Sequence, residues 1–128
     1  MLRLAALIGL IATPALAEVA EISNCRAGAQ NVTSSFYCDI ENLSDTSIAE
    51  VRFYFQVFED GRAVPWLSGG TEQRPMQASI AGGIEPGETR NVFLFADFVS
   101  KEANRSALRI EITPVRFLDV NGSEISSR

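Results

Sequence analysis

Downstream of residue 17 this chain reads as all-β, a single two-sheet sandwich of about seven strands. Two observations carry that reading. Apolar and polar side chains alternate with period two in segment after segment, and no stretch holds a helical period. Turn signals fall between those segments at hairpin spacing: Asp60-Gly61, Glu85-Pro-Gly-Glu88 and Asn121-Gly122.

The first seventeen residues read differently. Arg3 gives a positive start, residues 4–12 form a short apolar run, and Ala15-Leu16-Ala17 is the small-x-small pattern of a signal-peptidase site. The run is too short for a membrane span, which takes about 20 residues, and Pro14 breaks it. A signal peptide over 1–17 and one domain over 18–128 follow, with cleavage after Ala17 and a periplasmic or secreted destination. No membrane span is expected in the mature form. Its 111 residues suffice for one core. Cysteine usage agrees with export: Cys25 and Cys38 are the only two, an even count that reads as a disulfide in an oxidising compartment. The closed loop is about a dozen residues, for which chain entropy gives roughly 3 kcal/mol.

Each element has its own justification. Val19 to Asn24 alternates briefly and forms a first strand, with a turn over 26–31. Ser34 to Glu41 sets Phe36, Cys38 and Ile40 against Tyr37, Asp39 and Glu41, a half-buried strand with Cys38 facing inward. After the polar loop 42–47, Ile48 to Glu59 is the strongest strand: Ala49, Val51, Phe53, Phe55 and Val57 share one face, and Glu50, Arg52, Tyr54, Gln56 and Phe58 the other. The Asp60-Gly61 hairpin returns the chain through Arg62 to Trp66, where Pro65 argues for an edge. Residues 67–75 read as a weakly ordered connection, and Met76 to Ile84 as a strand weakened by Gly82-Gly83. Thr89 to Phe98 is apolar on both faces, which predicts a central, well-covered strand. Ser100 to Ser106 is a polar excursion with room for one helical turn. Ala107 to Asp119 closes the sandwich, with Leu108, Ile110 and Ile112 inward and a break at Pro114, and the last residues are expected to fray.

Four of these pieces, Asn42-Leu-Ser, Val51-Arg-Phe-Tyr-Phe-Gln-Val-Phe-Glu-Asp-Gly61, Ile84-Glu-Pro-Gly-Glu88 and Leu108-Arg-Ile-Glu-Ile112, stand in an order that resembles the small bacterial immunoglobulin-like domains of the FxLYD type. The resemblance covers residues 35–115 and departs from the pattern at Phe58-Glu59-Asp60, where a Tyr-Asp pair would stand. It implies an immunoglobulin-like sandwich with an extracytoplasmic binding or accessory role, and it carries no catalytic residues over.

Composition narrows the chemistry. The chain has no histidine, so it lacks the commonest base near neutral pH and the commonest metal ligand. Lys101 is its only lysine, which leaves a Ser-Lys dyad resting on one residue. The net charge of −5 becomes −6 without Arg3, and such a chain repels nucleic acid and anionic lipid. Asp39 and Glu41 share a strand face that reads as solvated rather than catalytic. Asp119-x-Asn121-Gly122-x-Glu124 offers oxygen ligands but departs from the calcium-loop spacing and reads as a turn. Asn31, Asn42, Asn104 and Asn121 stand in glycosylation-type tripeptides, a meaning that holds only in a eukaryotic secretory route. No enzyme, metal or cofactor is therefore expected.

What remains is a surface. Tyr54 and Phe58 lie on the outer face of their strand and Trp66 follows across the hairpin, so the three are the candidate anchors for a protein partner in the cell envelope. The alternative use of the same aromatics is a glycan- or surface-binding module.

Overall fold

A computed structural model describes residues 14–28 and 33–126. The apolar run 4–12, Asn31 and the last two residues lie outside the described residues. Pro14–Ala17 forms one short helix, α1, and seven strands follow: β1 (Ala20–Ala27), β2 (Thr33–Asn42), β3 (Ile48–Glu59), β4 (Leu67–Gly69), β5 (Met76–Ile84), β6 (Thr89–Phe98) and β7 (Leu108–Leu118). They make a three-stranded sheet in the order β1-β2-β6 and a four-stranded sheet built on β3. The second sheet is only three strands wide. β7 pairs one side of β3 over its length, while β5 and β4 share the other side, β5 against Ile48 to Phe53 and β4 against Phe55 to Val57. All named pairs are antiparallel.

The two sheets meet through the inward positions of the alternation. Phe36 and Phe95 of the first sheet and Phe55 of the second form one aromatic stack, with centroids 4.5 Å apart for Phe36–Phe95 and 3.7 Å for Phe55–Phe95. Around it Ile40, Ile48, Val51, Phe53, Val57, Ile84 and Phe117 are fully buried. Burying one such side chain is worth roughly 1.5–3 kcal/mol, so these few positions hold the sheets face to face.

Bulges account for most departures from simple alternation. β1 runs on past Asn24, where the expected strand stops, because Asn24 takes a left-handed conformation (φ 52°) that asparagine tolerates. The pairing shifts register between Ser23 and Arg26 there. β6 is an edge strand, not a central one: among the described residues it pairs only with β2. Its apolar run on both faces has another cause. Register shifts so that Phe36 faces Phe95 and Tyr37 faces Phe93, which leaves Leu94 as the extra residue, and Leu94 and Phe95 are both buried. Pro114 does not end β7. The strand passes through it with Val115 as the extra residue, Phe53 facing Pro114 and Arg52 facing Arg116.

Two further expectations are corrected. Residues 62–66 do not form the return strand, which is β4 at 67–69. Pro65 has no amide to donate, so pairing starts only with the Trp66 N–H, which reaches the Val57 carbonyl at 2.8 Å. The tail does not fray over 124–126. Ile125 is buried and donates to the Phe117 carbonyl at 2.9 Å, beside a bridge between Leu118 and Glu124.

Asn42 ties one end of the sandwich together. Its side chain is fully buried, and its amide nitrogen donates to the carbonyls of Thr46 and Ile84, each at 2.8 Å. Its Oδ1 accepts from the Ser44 N–H at 2.9 Å. The backbone of Asn42 bonds to Glu88 and Gly87, so β2, the 43–47 loop, the end of β5 and the Pro-Gly turn share this residue.

Candidate functional site

The disulfide is formed between Cys25 and Cys38, thirteen residues apart, and no free cysteine occurs among the described residues. Simple alternation along β1 would set Cys25 on the outer face with Ser23. The bulge at Asn24 turns it inward, toward buried Cys38, and so permits the bridge. Such a bond fits an oxidising compartment. Among the described residues, no helix is long and apolar enough to cross a membrane.

Tyr54, Phe58 and Trp66 are all half-buried, and among the described residues no ring contact joins them. Tyr54 and Phe58 do lie on the outer face of β3. Gly70, just after β4, lies close over the Cβ of Tyr54. One face of Phe58 is covered by the Arg109 guanidinium, 5.0 Å from its centroid. Trp66 lies at the sheet end and packs partly on the core. Its Nε1 donates to Glu59 Oε1 at 3.0 Å, and the Arg62 guanidinium stands 4.7 Å over its ring. Two of the three rings thus have one face occupied by a guanidinium, a cation–π contact. Glu59 Oε1 also accepts the Asn104 N–H at 3.0 Å. That bond first, then the one from Trp66 and the charge of Arg62, hold its carboxyl below the usual glutamate range.

A different surface is left open. Between Ile22–Cys25 of β1 and Leu108–Thr113 of β7 runs an open groove of about 580 Å³. A second, of about 320 Å³, continues it toward Leu16 and Pro114. Leu108, Ile110 and Ile112 point toward the core yet stay only half-buried, as does Ile22 opposite them. The cause is the edge itself: among the described residues, no strand pairs with the outer side of β7 from Leu108 to Arg116.

The direction of that edge can be worked out. Asp60 N–H donates to the Ala107 carbonyl, and Trp66 N–H reaches the carbonyl of Val57 on the opposite side of β3. By antiparallel alternation Arg109 and Glu111 bond to β3, while Leu108, Ile110 and Ile112 direct their N–H and C=O groups outward. On the outer face, Arg109 lies 3.1 Å from both Asp60 and Glu111, and those carboxylates, Glu111 foremost, hold its guanidinium firmly charged. Alternation along Leu108-Arg-Ile-Glu-Ile112 sets these aliphatic residues inward but does not show the open edge; its one signal is the lack of a later strand of comparable strength.

Several other polar groups have structural work. Asp39 accepts from Asn24 at 3.0 Å and Asn91 at 3.2 Å, with Arg26 at 3.6 Å, and its carboxyl is held below the usual range by those amides first. Asp119 Oδ1 accepts from the N–H groups of Asn121 and Ser123, as an Asx turn requires. Among the described residues, no group of three His, Cys, Asp or Glu side chains is placed to hold a metal ion. Of the glycosylation-type asparagines, Asn42 is buried with its amide engaged, and Asn104 Oδ1 accepts from Ser106 N–H. Comparison of the chain with family models, with curated proteins and with solved structures finds no match.

Proposed function

We propose that this chain is exported by residues 1–17, matures at Glu18 in the periplasm or outside the cell, and serves as a non-enzymatic immunoglobulin-like binding or accessory domain that works by protein–protein contact. The strand order supports the immunoglobulin-like part. The first, second and sixth strands share a sheet and the third and seventh pair in the other, as strands A-B-E and C-F do in that architecture. The disulfide supports the compartment. The acidic charge of −5 supports a protein rather than a nucleic acid as partner.

The observation that carries the binding role is the flank between β1 and β7, where a strand edge that is unpaired among the described residues lies over half-buried aliphatic side chains. Edges of this kind accept another chain through main-chain hydrogen bonds. The test is site-specific photo-crosslinking of the exported protein in envelope extract, with the probe at Thr113 on the edge or at Asn91 on the opposite sheet. Crosslinks to a polypeptide at Thr113 and none at Asn91 are expected. Crosslinks at Asn91 alone, or at neither position, would sink the reading.

A further inference from the structure

We infer that the outer edge of β7 pairs with β7 of a second copy of this chain, antiparallel about Ile110. This rests on reading that flank as the contact surface and names its occupant. Leu108, Ile110 and Ile112 direct their backbone groups outward, so a partner strand must set its own outward residues against them, and the register can move only in steps of two.

Three registers place the twofold axis at or between Arg109 and Glu111. One sets Arg109 against Arg109, and another sets Glu111 against Glu111; each puts like charges directly opposite. The third sets Ile110 against Ile110, Leu108 against Ile112, and Arg109 against Glu111 twice, once on each side of the twofold axis. Opposite charges directly across an antiparallel pair are favourable and like charges unfavourable. Only the third register satisfies both positions, and a twofold axis makes one surface serve both copies.

The same register covers the apolar flank. Leu108, Ile110 and Ile112 face the groove in each copy, so pairing lays each set beside its twin and removes both from water. Among the described residues no strand pairs with that stretch: the tail residues Glu124 and Ile125 meet β7 at Leu118 and Phe117, beyond the paired segment. Removal of residues 1–17, as proposed above, would also withdraw Leu16 from the groove beside Ile112.

The experiment is sedimentation velocity on the purified, oxidised protein, up to a concentration of about 100 µM, the range in which a small interface is measurable. A reversible dimer is expected. Arg109→Glu and Glu111→Arg should each weaken it roughly ten- to fiftyfold, since both cross-strand pairs become repulsive. Mixing the two variants should restore association, because each then presents the charge that the other lacks, and Arg109→Glu/Glu111→Arg should dimerise alone. Complementation on mixing cannot come from misfolded protein. A monomer at every concentration, a dimer indifferent to the single variants, or single variants that do not complement would overturn the proposal. A monomer that still crosslinks to another protein through Thr113 would remove the self-pairing and leave the binding role standing.

Discussion

Replacing Asn42 with alanine removes a side chain that ties β2 to the 43–47 loop and to the end of β5. The Asn42 amide nitrogen donates to Thr46 and Ile84 at 2.8 Å each, and its Oδ1 accepts from Ser44. The Ile84 bond is buried, so its carbonyl loses a donor where water has no ready access, at a cost of about 1–3 kcal/mol. The Thr46 and Ser44 groups are part-buried and regain some hydration, which adds about 1 kcal/mol more. A total near 3 kcal/mol corresponds to a fall in Tm of about 12 °C for a domain of this size. Asn42→Asp is a sharper probe: it keeps the acceptor but points a carboxylate oxygen at two carbonyls, so it should cost at least as much at neutral pH and recover partly on acidification. Urea unfolding followed by Trp66 fluorescence gives the free energies, with Asn121→Ala, at an exposed turn, as a control within about 0.5 kcal/mol of wild type. A loss below about 1 kcal/mol for Asn42→Ala would refute the reasoning, since the residue would then be a passive filler.

Three other outcomes are expected. Replacing Cys25 and Cys38 together by alanine should cost about 3 kcal/mol in urea unfolding, and reductant should then have no further effect on the variant. Gly69→Ala should cost about 1–3 kcal/mol, because a Cβ there would run into the Phe55 ring within the aromatic stack; an unchanged midpoint would show that the ring can move aside. The carboxyls of Glu59 and Asp39 are held below their ordinary range, so the stability they confer is complete above the unfolded-state value and is lost as pH falls through the lower folded-state value. Glu59→Gln keeps an oxygen acceptor for Trp66 and Asn104 but not the charge. Its urea midpoint should therefore decline less than that of wild type between about pH 5 and pH 3.

The long strands were legible because their burial repeats locally. Ile48–Glu59 falls where period-two alternation sets it, Met76–Ile84 and Thr89–Phe98 fall where the sequence reads as strand, and Asp60-Gly61 and Glu85-Pro-Gly-Glu88 end strands for reasons of backbone conformation alone. Cys25 and Cys38 implied a bridge by count and compartment. The bulges were not legible, because one extra residue reverses a side chain's face and leaves no mark in composition. Cys25 turns inward at Asn24 for that reason, and Leu94 and Phe95 are buried together for that reason too. Tyr54, Phe58 and Trp66 stood out as aromatics, yet what touches them comes from Gly70, Arg109 and Arg62, all three outside the strand that carries Tyr54 and Phe58.

The alternation of Leu108-Arg-Ile-Glu-Ile112 settles that this segment is a strand and which side chains turn inward, because both depend only on neighbours along the chain. Whether a strand edge is paired depends on which other strand arrives beside it, and local sequence does not encode that. Tertiary structure gave one side of β7 to β3 and, over Leu108 to Arg116, left the other without a strand among the described residues. Side-chain period by itself determined the class of fold; which strand edge stays open was decided by how the sheets close, since main-chain hydrogen bonds are short-ranged and saturate one edge at a time.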